Sequence, residues 1–278
     1  MVLDWLEALK VLIIGIVEGI TEWLPISSTG HMLLVDEVLR LNGSDSFKET
    51  FFVVIQLGAI LAVVVLFWKK MWPFQKPGPG RPLIKPDLLQ IWLKVALACV
   101  PGAIAAVLLD DLVEARLTTP TVIALALVFY GVAFLIVETW NKKRTPRIRT
   151  MEQIDWKTAF AIGLFQVLSI VPGTSRSGST IIGALLLGVS RVAAAEFTFF
   201  MAVPVMFGLS FLKLLKFGFH FTGGELGILL LGMVVAFLVS LAVIRFLMSY
   251  IRKHDFKAFG WYRIVLGLVL LIYFLVLK

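Results

Sequence analysis

Two short polar stretches interrupt this chain, and each carries side chains suited to handling an anion. The first reads EGITEWLPISSTGH from Glu18 to His31. Glu18 and Glu22 are four residues apart, so a helix projects both from one face, one turn apart. In apolar surroundings each carboxylate costs roughly 2.5 to 3.5 kcal/mol on insertion scales, which argues for a cavity or a cationic partner. A purely structural pair, bonded to an arginine or to backbone amides, is the bland alternative; Ser28 and His31 following so closely weigh against it. Ser27, Ser28, Thr29 and Gly30 precede a second helical stretch, where hydroxyls cap free N–H groups and the positive helix end attracts an anion. Capping by itself accounts for one or two of these hydroxyls. His220 and His254 fall in predicted loops, whereas His31 sits in an apolar region and reads as a proton-transfer group.

The second stretch, PGTSRSGST from Pro172 to Thr180, offers Ser175, Ser177 and Arg176 among glycines. A guanidinium here can bind two oxygens of a phosphate while backbone amides at a helix start bind others. The structural alternative is a salt bridge from Arg176 to Glu18 or Glu22, and both roles can hold in turn. If the two stretches meet, the site holds the parts needed for phosphoryl transfer, which asks mainly for positioning and charge neutralisation. Ser27, Thr29, Ser175, Ser177, Gln56 and Gln166 are the candidate phosphate contacts. The Glu18/Glu22 pair invites a hard divalent cation, whereas no His/Cys spacing suited to zinc is present.

The elements that must position these residues follow from composition. With 59% hydrophobic and 16% charged residues and a mean hydropathy of +0.95, the chain lacks the polar surface of a soluble globule. Its single cysteine, Cys99, allows no internal disulfide and no thiol metal site. Asp4 and Glu7 stand where a signal peptide would carry basic residues, so no removed leader is expected. The net charge of +8 is gathered between apolar runs, which marks topology rather than nucleic-acid binding.

Six stretches are long and apolar enough to span a bilayer: 50–67, 91–109, 121–137, 197–215, 226–244 and 261–277. Residues 9–39 and 159–189 are apolar but broken by PISSTGH at 25–31 and PGTSRSGST at 172–180, and each reads as two half-helices. Irregular backbone at membrane depth needs a protein or aqueous lining, so these are expected to be re-entrant hairpins around a cavity. At an offset of about 148 residues Gly15 matches Gly163 and Glu18 matches Gln166, while PISSTG falls on PGTSRSG with a one-residue gap. The expected architecture is an all-α polytopic membrane protein built as an inverted-topology repeat, with residues 1–140 and 150–278 each forming a hairpin plus three spans in one membrane domain.

The motifs at 18–32 and 172–180, together with FFVVIQLGAI at 51–60 and EFTFFMAVP at 196–204, resemble the undecaprenyl-diphosphate phosphatase family, also called bacitracin-resistance proteins, over essentially the whole length. The resemblance implies hydrolysis of undecaprenyl diphosphate to undecaprenyl phosphate and inorganic phosphate, recycling the carrier lipid for peptidoglycan synthesis and conferring bacitracin resistance. It places the protein in the bacterial inner membrane with the site open to the outer side. It carries the catalytic set over to Glu18, Glu22, Ser28, His31 and Arg176, with Mg2+ or Ca2+ as cofactor. Ser28 then either attacks phosphorus or places the attacking water. The expected partners are the lipid diphosphate and membrane lipids, with a homodimer as the candidate assembly and no nucleic acid. The same architecture serves secondary transporters, so a polyprenyl-phosphate flippase is the rival reading; a proton-coupled carrier or channel leaves the Ser/Thr/Arg cluster unexplained.

Loops 68–94, 140–157 and 245–263 hold six, six and five Lys/Arg, against two, one and two in 36–50, 108–121 and 213–225, so the first set is expected in the cytoplasm. In a Cys99→Ala background, an impermeant thiol reagent applied to cells should label Asp111→Cys and spare Lys143→Cys. Labelling of Lys143→Cys alone would reverse the orientation.

Overall fold

The computed structural model describes residues 4–78, 82–218 and 220–277, without the side chains of 110, 111, 114, 276 and 277; the labelling position Asp111 is therefore outside the described side chains. Among the described residues the chain is all-helical, apart from two isolated bridges that pair Phe74 with Ile84 and Ile148 with Val189. Two short helices, α1 (Trp5–Thr21) and α2 (Ser28–Leu39), are followed by three longer ones, α3 (Asp45–Met71), α4 (Pro86–Arg116) and α5 (Pro120–Asn141). The order then recurs: α6 (Trp156–Val167) and α7 (Arg176–Leu186), followed by α8 (Arg191–Phe217), α9 (Gly223–Tyr250) and α10 (Lys257–Ile272).

Six helices are long and apolar enough to cross a membrane: α3, α5, α8, α9, the Pro86–Leu109 part of α4, and α10 extended to Leu275. They stand at the six expected places, making this a multi-pass membrane protein. Most run further than their apolar stretches because polar residues cap them from outside. Ser44 accepts from the Phe47 amide at 3.2 Å, Thr119 from Val122 at 3.3 Å and Ser190 from Ala193 at 3.3 Å. Thr222 and Glu225 form a capping box at the start of α9. Two breaks are also present, but at residues 22–27 and 168–175 rather than 25–31 and 172–180, because Ser27 and Ser175 cap helices that begin at Ser28 and Arg176.

The long helices meet through small residues. α1 lies against α9, α6 against α4, α3 against both α8 and α9, and α5 against α10. Gly15 and Gly19, expected to allow close helix approach, face Val235 and Val239 of α9, while a methyl on Gly163 would land on the Ala98 carbonyl. Gly131 and Gly260 sit back to back where α5 crosses α10. Lipid offers no hydrophobic drive for helix association, so such close packing supplies the attraction. Trp23 packs edge-on against Phe199 at 5.3 Å in the core, whereas Val107, Phe129, Ile136 and Phe246 are exposed on the outside, where acyl chains would cover them.

Two buried carboxylates are paired with cations. Glu138 accepts from Arg191 and from the Phe256 amide at 3.0 Å, and Glu196 pairs with Lys70 at 2.7 Å. One assignment needs correction: Lys94 and Arg263, counted above among loop cations, are buried within α4 and α10. A guanidinium tolerates such a place where carbonyl oxygens engage its terminal donors; Arg263 Nε itself has no partner.

Gly58 is the tightest of these contacts, since a Cβ there would overlap the Met233 carbonyl of α9. Gly58→Ala should therefore destabilise the folded protein by about 1–3 kcal/mol, read as a lower thermal midpoint in detergent. An unchanged midpoint would show that α3 and α9 are free to separate.

Candidate active site

Both breaks end in the same local structure. Ser27 (φ 73°) and Ser175 (φ 69°) are non-glycine residues at positive φ, and each caps the helix that follows. Ser27 Oγ accepts from the Gly30 amide at 3.4 Å and Ser175 Oγ from the Gly178 amide at 3.2 Å. Such backbone conformations cost of order 1–3 kcal/mol and persist only where the surroundings enforce them. The caps lie 148 residues apart, so the helix starts align without the one-residue gap that the prolines Pro25 and Pro172 suggest.

The enforcing group is Arg263. From the buried face of α10 its Nη1 donates to the Pro25 carbonyl at 3.2 Å, and its Nη2 to the carbonyls of Gly173 and Thr174 at 2.9 and 2.8 Å. One side chain thus ties both breaks together. Sequence reasoning missed it; the available signal was an arginine lodged inside the apolar run FGWYRIVLG.

With the breaks joined, residues 154 apart in sequence meet. Glu22 accepts from Ser28 Oγ at 2.8 Å through one carboxylate oxygen and from Arg176 Nη2 at 2.6 Å through the other. Arg176 Nη2 also lies 3.0 Å from Met206 Sδ, and the hydroxyls of Ser175 and Ser177 are 3.2 Å apart. Apart from Met206, these groups line a cavity of about 540 Å³ together with Thr29, Gln56 and Gln166, while Ala106, Val107, Val205, Leu209 and Leu212 supply apolar lining.

Three candidates lie outside that lining. Ser27 is buried and acts as a cap. Glu18 is buried one turn before Glu22, and its Oε1 has no partner. His31 turns away, with Nδ1 2.7 Å from the Ser27 carbonyl oxygen and Nε2 2.7 Å from the Tyr262 hydroxyl.

The family description "Bacitracin resistance protein BacA" matches residues 11–269. The chain belongs to the BacA family. It is 66% identical over 272 residues to the undecaprenyl-diphosphatase of Enterococcus faecalis, covering 98% of this chain and 99% of that one. It is also 57% identical over 269 residues to the undecaprenyl-diphosphatase of Desulfitobacterium hafniense, covering 96% of each, and 56% identical over 276 residues to that of Lachnoclostridium phytofermentans, covering 99% and 100%.

The donors of this BacA-family site suit a hard cation better than a soft one. No three His, Cys, Asp or Glu side chains converge among the described residues. What the cavity offers are oxygens, the Glu22 carboxylate and the unpartnered Gln166 Oε1, while the unpartnered Glu18 Oε1 is buried outside the lining. Oxygens of this kind are the donors that Mg2+ and Ca2+ take.

Arg263→Lys keeps the charge but replaces a planar fork by a point donor unable to serve three carbonyls on two segments. Thermal stability in detergent should fall by about 1–3 kcal/mol, the penalty for leaving a buried carbonyl unpaired. A variant as stable as the parent would show that the two turns hold without this clamp.

Proposed function

We propose that this protein hydrolyses undecaprenyl diphosphate to undecaprenyl phosphate and inorganic phosphate, in keeping with relatives that are named undecaprenyl-diphosphatases. The observation that carries the mechanism is the double engagement of Glu22, which holds the Ser28 hydroxyl and the Arg176 guanidinium at opposite oxygens beside a cavity with both polar and apolar lining. The polar lining suits a diphosphate and the apolar lining suits the first isoprene units.

Ser28 Oγ attacks the terminal phosphorus while its proton passes to Glu22, and the bond to the bridging oxygen breaks to release the lipid monophosphate. Arg176, the Ser175 and Ser177 hydroxyls and the free amides at the start of α7 neutralise the transferred phosphoryl group. Once Glu22 has lost that proton to the departing phosphate, it activates a water that cleaves the phosphoserine. Water positioned by Ser28 is the alternative nucleophile. Glu18 and Glu22 are the residues we assign to a Mg2+ or Ca2+ ion, which when bound would offset charge on the diphosphate.

We further read the chain as an inverted repeat of 1–140 and 150–278 with two re-entrant hairpins. The recurrence of two short and three longer helices supports this, as do the matched serine caps and the reciprocal contacts of α1 with α9 and α6 with α4. The charge bias of the loops supports a site open to the outer side of the bacterial inner membrane. No observation favours lipid flipping.

Purified protein in detergent should release phosphate from a long-chain polyprenyl diphosphate when Mg2+ or Ca2+ is supplied, and Glu22→Gln, Ser28→Ala and Arg176→Ala should each lower kcat/KM by at least about 10²-fold. Transport needs a sealed membrane, so release in detergent separates the two readings. Folded parent without turnover would sink the phosphatase, and undiminished turnover by Ser28→Ala would remove the serine nucleophile.

A further inference from the structure

We infer that Tyr262 and His31 form a positioning relay: Tyr262 engages one imidazole nitrogen so that the other grips the Ser27 carbonyl and sets the strained turn from which Ser28 faces Glu22. The kinetic part of this inference rests on the phosphatase reading, and the structural part stands apart from it. The Ser27 carbonyl can only accept, so the 2.7 Å contact requires the proton on Nδ1. A neutral ring then keeps its lone pair on Nε2, and the Tyr262 hydroxyl, 2.7 Å away, is the donor. This is the tautomer opposite to the one imidazole side chains favour in water, so it reports on its two partners.

Both ring nitrogens are thereby engaged, and His31 does not line the cavity. It has no free nitrogen to exchange a proton with substrate. Ser27 is the positive-φ residue immediately before Ser28, so a hold on its carbonyl is a hold on the direction of the Ser28 side chain. The next residue of α10, Arg263, grips Pro25. Consecutive side chains of one helix therefore fasten the carbonyls on either side of Ile26, one directly and one through His31.

The test uses the full-length chain with His220→Gln and His254→Gln, 15N-labelled at histidine, so that His31 alone reports. Nitrogen–proton couplings should place the single ring proton on Nδ1, and Tyr262→Phe should move the Nε2 resonance toward that of an imidazole nitrogen accepting no hydrogen bond. A proton on Nε2, a doubly protonated ring, or an Nε2 resonance indifferent to Tyr262→Phe would overturn the relay. In phosphate-release kinetics, Tyr262→Phe should lower kcat about fivefold with KM little changed, the scale of one lost hydrogen bond. His31→Asn, whose amide nitrogen takes the place of Nδ1, should stay within about tenfold of the parent, whereas His31→Gln, whose amide sits farther out, should lose far more. Equal loss in both would return His31 to proton transfer. Absence of turnover in a parent showing the Nδ1 proton would sink the phosphatase reading and leave the relay standing.

Discussion

Everything in this structure turns on the need to satisfy backbone carbonyls where two helices are broken inside an apolar protein. Pro25, Gly173 and Thr174 are buried outside regular helix. A single guanidinium from α10 serves all three, and because they belong to two breaks, meeting the hydrogen-bond requirement also fixes how the breaks face each other. Fixing the breaks fixes the starts of α2 and α7, and these starts carry the hydroxyls and free amides of the site. The requirement of the backbone and the geometry of the chemistry are thus one requirement.

The same economy governs the charges. Glu22 and Arg176 neutralise each other across the cavity, and burying such a pair is tolerable only while both partners remain engaged. In the proposed mechanism a phosphate arriving at Arg176 would take over part of that engagement and leave Glu22 free to accept the Ser28 proton. The resting ion pair is therefore compatible with catalysis. It neutralises both charges, and in the proposed mechanism it would give way to a ligand that brings its own negative charge.

The apolar lining explains why such a site sits in a membrane protein. A polyprenyl chain need not leave the bilayer to present its diphosphate, because α4 and α8 supply both the apolar lining of the cavity and part of the lipid-facing surface. Val107 illustrates the continuity, since it lines the cavity and is also among the most exposed apolar residues.

Much of this was legible in the sequence, because apolar length and the placing of Gly, Pro, Ser and Thr act locally. Hydropathy alone located the six spans, the interrupted stretches located both breaks, and isolated polar residues in apolar runs marked Glu22, Ser28 and Arg176, since charge in such surroundings needs a reason. What tertiary structure decided were the pairings. That Glu22 meets Arg176, that His31 turns from the cavity toward Tyr262, and that Arg263 is a buried clamp and not a loop cation all depend on contacts between residues 89 to 238 apart. Periodicity shows which face of a helix a residue occupies, but which neighbour that face meets is set only when the helices pack.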